Sequence, residues 1–412
     1  MSMLDRLSRP IDLAPFLNRL VELVSRRPLS ACLEIGVALR VWVYLQGRPY
    51  WMDEGSLLAN LRGVAPFDFS SPLKSDQLAP PAFLAAERLV VQMLGESPFA
   101  TRLIPLACGL GSLWLFREVA RRTLLPAAAV VAMFLFAVGD DLVYYSNELK
   151  PYSTDLAVGL LVTFASLKEL QDPPSRRLRL GLAVLAVASP WVSFASVFVV
   201  AGCGLTLLVD ALRSGRRGDA ARHLGLAAAW AVSVLLAHRI SSRMLVPATT
   251  MYVFWDFAFL PPAPTSRESL AKFAGILLET FVTPLNLTPR LMPYAFALFA
   301  LAMTLLGARR LARLDARVVA ILAVPIVLAM AASAARRYPF HGRLILGLAP
   351  AFFLLIAEGL QEIRCRRGRA WYLAALAFLL VHPTFDALYQ AVPPLTREFN
   401  RHGDLRGNRF LE

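Results

Sequence analysis

Charge is scarce in this chain. Only 17% of its 412 residues are Asp, Glu, Lys or Arg, while 57% are hydrophobic and the mean hydropathy is +0.54. A soluble chain carries nearer a quarter of charged residues, so a soluble globular domain is excluded. Cysteine is rarer still. Cys32, Cys108, Cys203 and Cys365 have neither metal-ligand spacing nor an obvious disulfide partner. They read as small apolar residues, which excludes a zinc module and a disulfide scaffold. GxGxxG and Walker patterns are lacking, so nucleotide binding has no support. Heptads and solenoid repeats are lacking too. No apolar run stands close enough to the start for a cleavable signal peptide. The expectation is a cytoplasmic leader over residues 1–28. Residues 11–24 within it have an amphipathic pattern, read either as a surface helix or as a solvated stretch.

Long apolar runs are abundant. They cover residues 29–46, 103–120, 124–143, 151–168, 178–194, 195–212, 223–240, 291–308, 317–335, 343–361 and 370–388. Such runs predict an all-α, polytopic membrane protein of about eleven transmembrane helices. The net charge is +14 and the pI about 10.2. Nucleic acid is rejected as a partner, because the arginines recur between apolar runs instead of forming one basic domain. Clusters at Arg26/Arg27, Arg117/Arg121/Arg122, Arg176/Arg177/Arg179, Arg213/Arg216/Arg217, Arg309/Arg310/Arg313 and Arg364/Arg366/Arg367 occupy alternate loops. The positive-inside rule makes those loops cytoplasmic, with the N-terminus inside and the C-terminus outside.

Function is then expected in the opposite loops. Residues 29–388 form the membrane domain, with outer loops at 47–102 and 241–290 and an outer tail at 389–412. Each long loop holds a short apolar-rich helix, expected to lie along the outer leaflet.

Three constellations stand on that side. Asp53 and Glu54 follow Tyr50 and Trp51, an interfacial aromatic pair. A carboxylate there suits a general base, and its neighbour a supporting or cation-binding group. The plain alternative is a solvated helix start with Asp as N-cap. The corner from Tyr144 to Asp155 joins the third and fourth spans. Glu148, Tyr152 and Asp155 would share a face if the helix continued upstream. Lys150 is a countercharge and a candidate phosphate ligand. Arg336, Arg337, Tyr338, His341 and Arg343 form the third group. Clustered arginines outside break the charge rule and suit an anion such as a lipid phosphate, or else snorkel to headgroups. Asn286-Leu287-Thr288 is a glycosylation sequon of little weight.

With these segments in view, the chain resembles the GT-C superfamily of polytopic glycosyltransferases. It looks closest to the bacterial family-39-like branch, near protein O-mannosyltransferases and lipid A aminoarabinose transferases. WMDEGSL resembles the acidic motif of the family's first outer loop. YYSNELKPYSTDL resembles its corner between the third and fourth spans, with Asn147 where Gln is common. RYPFHGRLILGLAP resembles its entry to a late span, and DQLAPPAFL a juxtamembrane stretch. The resemblance covers residues 30–385.

The resemblance implies a polyprenyl-phosphate sugar donor and a lipid, glycan or protein acceptor at a bacterial cytoplasmic membrane. The active site would face the periplasm. Asp53 takes the role of base, and Glu54 that of base support or metal contact. Lys150, Tyr338 and either Arg337 or Arg343 would bind the donor phosphate. Glu148, Tyr152, Asp155 and His341 would support them. A divalent cation on Glu54 and Glu148 stays an open option. Many relatives carry a globular domain after the last span. Here only a short tail follows, so acceptor recognition is expected from the outer loops or a partner. The competing readings are a lipid-linked glycan flippase and a non-catalytic membrane subunit.

Overall fold

A computed structural model describes residues 27–172, 175–245 and 253–391. The stretch 11–24 and nearly all of the outer tail lie outside them. No strand occurs among the described residues. In chain order the helices are α1 (Pro28–Leu45), α2 (Met52–Leu58), α3 (Pro81–Leu94), α4 (Pro98–Thr101), α5 (Leu103–Thr123) and α6 (Pro126–Val138). Then come α7 (Asp140–Tyr145), α8 (Tyr152–Gln171), α9 (Arg176–Val192), α10 (Ser196–Arg213) and α11 (Arg217–Arg243). The last are α12 (Arg267–Val282), α13 (Pro293–Leu314), α14 (Ala316–Ala334), α15 (Ala349–Arg367) and α16 (Arg369–Gln390). Short 3-10 turns cover Asp256–Ala258 and Gly342–Leu348.

Each of the eleven apolar runs is helical, but among the described residues eight helical stretches are long and apolar enough to cross a membrane. The other three have separate reasons. The run 124–143 breaks at Gly139 into α6 and α7. Helix α9 has 17 residues. Helix α8 is longer but carries Asp155, Lys168 and Glu169. The two short outer-loop helices are α3 and α12.

The break at Gly139 explains a charge inside the first span. It leaves carbonyls at the end of α6 without a following turn of N–H donors. Arg40, fully buried on α1, donates to the carbonyls of Ala137 at 3.0 Å and Phe136 at 3.3 Å. A buried guanidinium is costly, and these bonds are its compensation.

Helix α15 is the centre of the bundle. Within its segment and the turn before it, the most apolar 18-residue stretch is 89% buried, more than in any other candidate span among the described residues. It packs on α13 with the backbones almost touching. A Cβ on Gly307 would lie 1.8 Å from the Leu355 carbonyl oxygen, and one on Gly359 2.1 Å from that of Met303. Only glycine permits that approach. At the arginine-rich end Arg310 clasps Glu358 at 2.5 Å and Glu362 at 2.7 Å. Thus the turn at 342–348, which carries Arg343, is mounted on the most deeply packed helix of the fold.

Candidate active site

The loop 47–102 is built around Glu54. Helix α2 starts after Trp51, so Asp53 and Glu54 are its second and third residues, and Asp53 is no N-cap. Glu54 accepts the Trp51 N–H at 3.0 Å. It is fully buried, and Arg102 grips it with a fork of 2.8 and 2.7 Å. The Leu149 N–H adds a bond at 2.8 Å, and Arg48 stands 3.8 Å away. This one carboxylate therefore ties α2 to the start of α5 and to the 146–151 corner. Leu57, Leu61, Phe83, Leu84 and Leu149 form a small core beneath it.

Asp53 faces the other way. Its carboxylate meets Arg343 at 2.8 Å and Lys150 at 3.7 Å, and Gln77 adds a hydrogen bond. About a fifth of the side chain is exposed (19%), so a small reactant can reach it. Burial alone would raise its pKa, but Lys150 and Arg343 outweigh it and hold the carboxyl below its usual range. Lys150 donates to Gln77 Oε1 at 2.5 Å. Burial lowers the Lys150 pKa, while Asp53 and Glu148 oppose the shift. The sequence pattern does not single out Gln77, although the DQLAPP segment around it carries part of the family resemblance. Asn60 sets its loop by bonding both backbone groups of Lys74.

Glu148 lies under the pair. It is fully buried, and neither carboxylate oxygen has a hydrogen-bond partner among the described residues. Burial first, then the charge of Glu54, pushes its pKa up to about 7 against the pull of Arg48, Arg343 and Lys150. The helix does not continue upstream of Tyr152, so Glu148, Tyr152 and Asp155 do not share a face as their spacing suggests. Tyr152 lies beneath the Arg343 guanidinium at 5.5 Å. Asp155 instead turns to Ser193, at the joint of α9 and α10.

The third constellation divides. Arg343 is in the site. Arg337 is exposed and forms no ion pair among the described residues. Arg336 pairs with Asp256 at 2.6 Å. Tyr338 donates to the Leu344 carbonyl at 2.8 Å, bracing the turn that aims Arg343. His341 lies against Phe257 and Trp255, at 5.1 and 6.3 Å between ring centres. Burial and Arg343 lower its pKa, so it is neutral at pH 7. Trp255 also lies 6.0 Å from the Arg343 guanidinium. Spacing has no means of finding Arg48 and Arg102, whose partner Glu54 is 48 residues from Arg102.

A divalent cation does not fit Glu54 and Glu148 as they stand. Both Glu54 oxygens are engaged by Arg102, and guanidinium and ammonium groups surround Glu148. No group of three or more His, Cys, Asp or Glu side chains converges among the described residues. The sequon is buried: Asn286 is 1% exposed, and its amide donates to Asp386.

No family model matches the chain, and no curated protein matches it. Solved structures do. An oligosaccharyltransferase from Archaeoglobus fulgidus, in complex with zinc and sulfate, shares 14% identity at a TM-score of 0.52, over 88% of this chain and 53% of its own. ArnT from Cupriavidus metallidurans, bound to undecaprenyl phosphate, shares 16% at 0.56, over 87% of this chain and 68% of its own. The archaeal enzyme AglB from A. fulgidus, with an inhibitory peptide and a dolichol-phosphate, shares 12% at 0.53, over 89% and 56%. The chain has the GT-C fold. It spans about half the length of the archaeal oligosaccharyltransferases it matches.

Proposed function

We propose that the chain transfers a hexosyl or pentosyl group from a polyprenyl-phosphate donor to an acceptor outside a bacterial cytoplasmic membrane. One observation carries this reading: a partly open carboxylate, Asp53, stands against two cations, Lys150 and Arg343, in a single site. The fold supports it, and the C. metallidurans neighbour binds undecaprenyl phosphate.

The chemistry follows from the charges. Asp53 removes the proton from an acceptor hydroxyl or amine. The freed electron pair attacks the anomeric carbon as the bond to the phosphate oxygen breaks, which inverts the configuration. The leaving phosphate gains negative charge, and Lys150 and Arg343 stabilise it. Without donor, Asp53 and its two cations sum to one positive charge. A phosphodiester neutralises that excess. After transfer, the proton on Asp53 offsets the extra charge of the phosphate monoester, so the site stays neutral throughout. The donor also draws Lys150 and Arg343 away from Asp53, and the base strengthens only once the leaving group is in place. Asp53 is a poor base while those cations hold it, which limits wasteful deprotonation.

The archaeal neighbour holds zinc. Here a metal would first need a carboxylate released from its cation, and no step above runs through one.

The test is turnover of polyprenyl-phosphate sugars by purified protein, wild type against Asp53→Asn. The expected loss is roughly two to four orders of magnitude. Equal rates overturn the base assignment, and no turnover with any such donor overturns the transferase reading.

A further inference from the structure

One cavity shares no lining residue with the Asp53 site. It has a volume of about 210 Å³ and is enclosed by α8, α9, α10 and α11. Its walls are almost wholly apolar; Leu182, Ala186, Leu205 and Leu226 are typical, and Ser166 and His223 are among the few polar groups. It is partly open, and Leu205 in its wall is 46% exposed. The volume is below the roughly 300–1,000 Å³ of compact small-molecule sites. On α10 the lining runs from Val200 to Leu208, a rise of about 12 Å. That is most of one leaflet of a hydrocarbon core about 30 Å thick. A single alkyl chain fits such a slot, whereas a helix about 10 Å across does not.

The rim supplies the second observation. On α11 the lining begins at His223, near the start of the helix at Arg217, and on α10 it ends at Leu208, before Arg213. Acidic groups there are already matched: Glu169 pairs with Arg179 and Arg222, and Asp210 and Asp219 with Arg216. Arg213 and Arg217 are exposed and form no ion pair among the described residues. The apolar slot therefore ends within about two helical turns of surplus positive charge.

We propose that this slot binds one acyl chain of an anionic phospholipid, whose headgroup phosphate rests on Arg213 and Arg217. The site belongs to the arginine-rich side of the bundle, where basic residues at the membrane surface attract anionic lipid. It goes beyond the transferase reading and does not depend on it.

The test is native mass spectrometry of the full chain in mild detergent, offered phosphatidylglycerol or phosphatidylethanolamine. Wild type is expected to retain one phosphatidylglycerol, at least about tenfold in preference to phosphatidylethanolamine, from two arginines near the surface. Gly204→Phe puts a ring at the slot wall, where open space surrounds a Cβ at Gly204. Each methylene excluded costs roughly a factor of four, so retention should fall about tenfold or more. Ala227→Phe, from an exposed position on the opposite wall, makes the same test if Gly204→Phe does not fold. Arg213→Gln with Arg217→Gln should keep lipid binding and abolish the headgroup preference. Unchanged retention in both slot variants overturns the proposal. So does equal retention of the two lipids by wild type. Displacement by undecaprenyl phosphate at equal concentration would also overturn it, by assigning the slot to an isoprenoid chain.

Discussion

Glu54 is fully buried, and its two oxygens accept from Arg102, Leu149 and Trp51; Asp53, one residue earlier, keeps a fifth of its side chain exposed and meets Lys150, Arg343 and Gln77. The two carboxylates share a helix turn and a net charge. They differ in how completely their valences are filled. Glu54 has nothing left to offer a reactant, and its neighbours are held by it. Asp53 has an open edge and two cations that a phosphate can take over. A saturated ion pair fixes geometry, and an unsaturated one is available for exchange.

The sharpest way to break this comparison is to neutralise each carboxylate in turn. Asp53→Asn should lower turnover roughly two to four orders of magnitude. Its thermal midpoint in detergent should fall less than that of Glu54→Gln, because a fifth of the Asp53 side chain is exposed to water. Glu54→Gln should do the reverse at first sight, since it leaves Arg102 and Arg48 buried without their counter-charge. Removing one partner of a buried pair costs about 3–5 kcal/mol. Denaturant or thermal titration checks the stability, and specific activity of the surviving folded fraction checks the rate. If Glu54→Gln folds normally and loses as much activity as Asp53→Asn, the division of labour fails.

The cations come next. Lys150→Met and Arg343→Lys should each lower turnover by about 10²–10³, the range for losing one donor to a developing negative charge. Arg343→Lys keeps the charge but loses the planar fork, so it separates geometry from charge. A rise in KM with unchanged kcat in both variants would mean that these groups bind the donor without favouring the transition state.

Glu148 sharpens the comparison through pH. Its carboxyl is held near 7, so it is largely neutral in weak acid and ionises in weak base. Its ionisation adds a negative charge beside Lys150 and Arg343, the groups proposed to hold the phosphate. Turnover is therefore expected to fall as pH rises through about 7, and Glu148→Gln should flatten that limb. The stability sign is fixed by the same direction. A carboxyl whose folded pKa is raised contributes stability fully present below its unfolded pKa, and that contribution is lost as pH rises through the folded value. Glu148→Gln should thus gain stability relative to wild type in weak base compared with weak acid. Asp53 has the opposite sign. Its lowered pKa contributes stability above the usual carboxylate range, lost as pH falls below it.

Much of this is legible in the residues alone. Apolar runs mark the helices, because burial in lipid demands length and hydropathy that few other patterns supply. Asp53, Lys150 and Arg343 stand out as exceptions: charges where charge is expensive or of the wrong sign for the loop. The remaining parts are hidden for physical reasons. Gln77 is uncharged and breaks no pattern. Arg48 and Arg102 flank the membrane as ordinary interfacial arginines do, and only contact with Glu54 gives them a task. Asp155 is misplaced by spacing because the helical period does not extend through Glu148, where the chain is a turn. The break at Gly139 and the buried Arg40 that answers it are equally hidden, since the run before Gly139 is apolar throughout.

The smallest expected effect tests the arginine choice. Both Arg337 and Arg343 suit the late-span motif, and their separation of six residues allows either to reach a phosphate. The fold separates them. Pro339 and the buried Phe340 turn the chain inward after α14, so Arg343 enters on the 3-10 turn braced by Tyr338, and Arg337 stays at the surface. Its backbone N–H is spent on the Ala332 carbonyl at 2.8 Å, which closes α14 and needs no particular side chain. Arg337→Gln should accordingly change stability by no more than about 0.5 kcal/mol. Turnover should stay within about threefold of wild type, under about 0.7 kcal/mol of barrier. A loss comparable to that of Arg343→Lys would mean that the surface arginine swings onto the donor, and the contrast between a filled and an exchangeable ion pair would have to include a third, mobile cation.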